Sequence, residues 1–106
     1  MDDRELLELA AKAAGIDGAY RVWYPGNEPI VTVSVGIQSG DGFSLWNPLV
    51  DDGDALRLAV KLNIIVHPGF AYTPTGKLIN YRDHANRIAA TRRAIVRAAA
   101  EIGRAM

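Results

Sequence analysis

Apolar residues recur at Leu6, Leu7, Leu9, Ala10, Ala13 and Ala14, a three- and four-residue spacing that lines one side of a helix over residues 3–14. Asp2 or Asp3 stands where an N-cap is needed, Glu5 or Glu8 lies near the positive end of the helix dipole, and Gly15 supplies a left-handed stop. The pattern then switches to aromatic and β-branched runs, Ala19 to Tyr24 and Ile30 to Ile37, separated by the turn cluster Pro25-Gly26-Asn27-Glu28-Pro29. These predict a β-hairpin whose second strand turns Val31, Val33, Val35 and Ile37 toward the core. A third short strand, Phe43 to Trp46, follows the turn Ser39-Gly40-Asp41-Gly42.

Asn47-Pro48 breaks that strand, and Asp51 is placed to cap a second helix carrying Ala55, Leu56, Leu58, Ala59, Val60 and Leu62 and ending near Asn63. Ile64-Ile65-Val66 is too β-branched to continue it. Pro68 to Lys77 reads as a loop or irregular hairpin, followed by a strand at Leu78 to Tyr81. From Asp83 onward a long alanine-rich helix carries Ile88, Thr91, Ile95, Ala99, Ile102 and Met106 on one stripe, with Arg93, Arg97 and Arg104 opposite. The whole is an α+β domain over residues 1–106, with three helices and a small, mostly antiparallel sheet of four to five strands in the order αβββαββα. Val31, Val33, Val35, Trp46, Leu56, Leu62, Ile88, Ile95 and Ile102 are the expected core.

A chain of 106 residues closes one hydrophobic core, and 49% hydrophobic with 23% charged residues is an ordinary globular balance. No uninterrupted apolar run exceeds three residues, against about 20 for a membrane-spanning helix. The start, Met1-Asp2-Asp3, is acidic where a secretion signal would be basic, so a cytoplasmic location is expected. The absence of cysteine removes disulfides, a thiol nucleophile and cysteine-ligated zinc, leaving His67 and His84 as the imidazoles. Charge is lopsided. Residues 1–54 hold three basic and ten acidic side chains and residues 55–106 hold nine basic and two acidic, so the halves carry −7 and +7. Either the halves neutralise each other in the fold, or they form two opposed patches for charged partners.

Asp51, Asp52 and Asp54 beside Gly53 invite a calcium or magnesium reading, but their spacing is not that of an EF-hand loop, and a capped helix start accounts for all three. His67 and His84 lack partners at diagnostic spacing, and the serines and glycines form neither a nucleophile elbow nor a phosphate loop. The residues therefore predict no catalytic site, no metal and no cofactor.

Three blocks carry a resemblance: Leu6-Leu7 with Ala10 to Gly15; Trp46 to Leu49 with Asp51 to Ala59; and Ala90 to Gly103. Together they resemble small proteins of tailed phages and prophages grouped as the phage ABA sandwich domain family. The resemblance implies a three-layer α/β/α sandwich with helices on both faces of a central sheet, brings no catalytic residues, and implies a phage setting inside a bacterial host. Small phage accessory proteins without catalytic motifs often bind and block a host protein. The expectation is thus a non-enzymatic protein that binds a host protein, such as a defence-complex subunit, in the manner of an anti-CRISPR inhibitor; a homodimer is compatible with this. Its contact surface would combine the turn acids Asp17, Glu28 and Asp41 with Tyr72 and Tyr81. The alternative is a nucleic-acid binder that uses Arg93, Arg97 and Arg104.

Overall fold

The computed structural model describes residues 1–23, 34–38 and 45–106. Helix α1 (Asp3–Ala14) begins where the Asp2 carboxylate accepts from the Glu5 N–H at 2.8 Å and ends at Gly15 with φ +71°. Strands β1 (Ala19–Trp23), β2 (Ser34–Gln38) and β3 (Leu45–Trp46) form one antiparallel sheet, with Ala19 opposite Gln38 and Ile37 opposite Trp46. Helix α2 (Asp52–Lys61) is capped by Asp51, and Asn63 takes the left-handed conformation just beyond it at φ +56°. Strands β4 (Ile65–His67), β5 (Phe70–Tyr72) and β6 (Leu78–Asn80) make a second antiparallel sheet before α3 (Arg87–Arg104).

Three helices in an α+β chain agree with the sequence pattern, but the described strands form two sheets of three in place of one sheet of four to five. The added strand is β5. Pro68 and Gly69, with φ +84° at the glycine, make the tight turn that folds β5 back on β4, and Thr73 to Lys77 close the next hairpin around Gly76 at φ +89°. Turn residues at both ends hide a strand of three residues between them.

The two sheets pack on different helices. The first sheet rests on α1, the second on α3, and α1 and α3 pack against each other over the most extensive contact in the molecule. Arg93 reaches Asp3, and Gly103 abuts the Leu9 backbone, so the two helices run parallel. A Cβ at Gly103 would collide with the Leu9 carbonyl. Their interface is built of small side chains, including Ala10 and Ala14 from α1 and Ala94, Ala98 and Ala99 from α3. Leu6, Ile95, Val96 and Ala100, with Ala55, Leu58 and Ala59 of α2, Ile64, Ala71 and Ile79, complete the main cluster, while Leu7, Ala11 and Ile37 form a second one under the first sheet.

Several expected core positions need correction. Ile95 is buried, and Trp46, Leu62 and Ile102 are half-buried against the core, but Leu56 is 64% and Ile88 63% exposed. On α2 the inward face runs through Ala55, Leu58 and Ala59, which turns Leu56 outward. The last helix begins at Arg87 under an Asn86 cap rather than at Asp83, so Ile88 sits in its first turn, outside the core. Val35 is half-buried, and Val31 and Val33 lie outside the described residues.

Candidate binding surfaces

The carboxylate cluster is consumed by structure. Asp51 accepts from the Asp54 N–H at 2.7 Å; Asp54 accepts from the Asn47 N–H at 3.0 Å and from Arg57 at 2.8 Å; Asp52 accepts from Arg92 at 2.7 Å. Asn47, itself buried, also donates to the Val35 carbonyl and accepts from the Leu49 N–H, which ties the first sheet to the start of α2. Among the described residues no group of three His, Cys, Asp or Glu side chains is arranged to hold a metal ion. None of their helices is long and apolar enough to cross a membrane.

The arginines expected to meet nucleic acid are largely engaged within the fold. Arg93 pairs with Asp3 at 3.0 Å, and Arg97 pairs with Glu101 at 3.0 Å; both side chains are partly covered. Arg104 stays exposed, at 4.0 Å from Glu101. Arg92 donates to the Leu49 carbonyl as well as to Asp52. The Arg92–Asp52 and Arg93–Asp3 pairs join the basic half of the chain to the acidic half, so part of the −7/+7 asymmetry cancels internally.

Glu101 is the hub of a second cluster. A hydrogen bond from Lys77 at 2.9 Å and the positive charges of Lys77 and Arg97 hold its carboxyl below the ordinary value of 4.5, against an opposing contribution from burial.

Three of the five residues expected to contact a protein lie among the described residues. Asp17 is exposed between α1 and β1, whereas Tyr72 is half-buried in β5, edge-on to His67 and Phe70 at 6.0 Å between ring centroids. Tyr81 is partly buried and packs against the main core cluster. Glu28 and Asp41 lie outside the described residues.

Two surfaces escaped the sequence reading. One is the outer row of α2, where Leu56 and Val60, one turn apart, are 64% and 69% exposed, with exposed Ile65 just beyond the helix. The other is a hollow of about 250 Å³ where the β4–β5 turn meets the start of α3, lined by Pro68, Gly69, Arg82, His84, Arg87 and Ala90. The Gly69 N–H donates to Thr91 Oγ1 at 2.8 Å, Thr91 donates to the Arg87 carbonyl at 2.8 Å, and the Tyr81 N–H donates to the Gly69 carbonyl at 2.8 Å. These bonds fix the turn against the helix and hold the hollow open.

No protein-family model, no curated protein and no solved structure matches this chain.

Proposed function

We propose that this protein is a non-catalytic binding module that docks a protein partner through the outer row of α2. The observation that carries the reading is the exposure of Leu56 and Val60 on a helix whose inward face is already filled by Ala55, Leu58 and Ala59. Burying one such side chain gains about 1.5–3 kcal/mol, a gain that folding leaves unused here and that a partner surface would collect. The phage setting implied by the sequence blocks makes a host protein, with a defence-complex subunit foremost, the first partner to test. Internal pairing of Arg93 and Arg97 counts against the nucleic-acid alternative.

Affinity capture from a bacterial host, with wild-type protein beside a Leu56→Lys, Val60→Lys double variant, tests the proposal. A host protein retained by the wild type and lost by an equally stable double variant is the expected outcome. Retention of the same protein by both would overturn the assignment of the surface, and the absence of any retained protein would overturn the reading.

A further inference from the structure

We infer that the hollow between the β4–β5 turn and the start of α3 binds a dianionic phosphoryl group, either free phosphate or the terminal group of a phosphate monoester. The site is separate from the outer row of α2 and does not depend on the reading given to that row.

Most arginines of the described chain have a carboxylate within ion-pair reach: Arg4, Arg57, Arg92, Arg93, Arg97 and Arg104 all do. The two arginines that line the hollow, Arg82 and Arg87, have none among the described residues. Asp83, next to Arg82 in sequence, is exposed and is not part of the lining. Two positive charges thus line one concavity with no carboxylate of the described residues within ion-pair reach.

Arg82 is also held in place. Its Nε and its backbone N–H both donate to Asn80 Oδ1, at 3.2 and 2.9 Å, and its guanidinium carbon lies 5.1 Å from the Phe70 ring centroid. That leaves the terminal Nη groups to donate elsewhere. The third polar member is His84, whose Nδ1 accepts from the Asn86 N–H at 3.0 Å. Acceptance at Nδ1 puts the proton of the neutral ring on Nε2, which becomes a donor. Two guanidinium forks and one imidazole N–H match the charge and the acceptor oxygens of a phosphoryl dianion. Gly69, with φ +84°, leaves the wall free of side-chain atoms; a Cβ there would press on the Arg82 backbone at 3.2 Å.

The test is titration of the full chain, at constant ionic strength against chloride, with inorganic phosphate, phenyl phosphate and a short single-stranded DNA that lacks terminal phosphates. Calorimetry and the melting temperature are both read, since a ligand of the native state raises the latter. Saturable binding of phosphate or phenyl phosphate is expected, and the tighter of the two identifies the source. Arg87→Gln, at an exposed position, should weaken binding at least about tenfold, as loss of a charge-assisted hydrogen bond does. Arg82→Gln should do the same, and Arg21→Gln, which removes the same charge from β1 in the other sheet, should leave it unchanged. Absence of saturable binding, binding equally weakened by Arg21→Gln, or binding unaffected by both hollow variants would overturn the inference. Tighter binding of the DNA than of either monophosphate would overturn it in favour of a nucleic-acid surface.

Discussion

Gly103 shows how a single position can invert an ordinary rule. In a helix interior, alanine is favoured over glycine by about 1 kcal/mol. At position 103 the added methyl would collide with the Leu9 carbonyl, a backbone atom that moves only if α1 moves with it. Gly103→Ala should therefore destabilise the fold by about 1–3 kcal/mol, the range for overpacking, and chemical denaturation would register the loss. An unchanged or raised stability would mean that α1 and α3 are not in close contact at this point. The sequence gives little notice of this. A glycine near the end of an alanine-rich helix reads equally well as a C-cap, and the contact that decides between the readings comes from a residue far away in the chain.

Among the elements, α1 and α2 were legible because independent signals agreed: aspartate caps, apolar periodicity, and for α1 a glycine in the left-handed conformation. Strand β5 was not, because Phe70-Ala71-Tyr72 is too short to show alternation between Pro68-Gly69 and Pro74. The faces of α2 were misread for a different reason. Leu56 and Val60 have the same periodicity as the core row beside them, and periodicity alone does not say which row meets the rest of the molecule. The hollow was illegible since Gly69 and Arg87 are brought together by hydrogen bonds through Thr91, a contact between segments far apart in the chain. Two truncations separate the rows. Ile95→Ala should cost about 2–5 kcal/mol, whereas Leu56→Ala, which removes solvent-facing atoms, should stay within about 0.5 kcal/mol. Comparable losses in denaturant melts would mean that the α2 face has been assigned wrongly.

Across the whole molecule, charge ties distant segments together. Lys77, in the loop between β5 and β6, joins Arg97 and Arg104 around Glu101, so one carboxylate anchors the second sheet to α3. Because its pKa is lowered by folding, Glu101 contributes stability that is fully present above the ordinary value of 4.5 and is lost as pH falls from there through the lowered folded value. Glu101→Gln should lower stability at neutral pH and flatten its decline over that acid window. Thermal melts across pH would reveal it, and parallel pH profiles for the two proteins would rule out this carboxylate as a source of the acid limb.

The parallel arrangement of α1 and α3 has a consequence for how the protein is made. Antiparallel helices can be joined by a short loop, but parallel ones need a long return path, and here it runs through both sheets and α2. A chain leaving the ribosome exposes Leu6, Ala10 and Ala14 before Ala94, Ala98 and Ala99 have been synthesised, so the central interface closes only after both sheets and α2 have emerged. The nascent chain thus holds the α3-facing side of its first helix open until α3 has been made, an interval in which a chaperone finds it more readily than its eventual neighbour does.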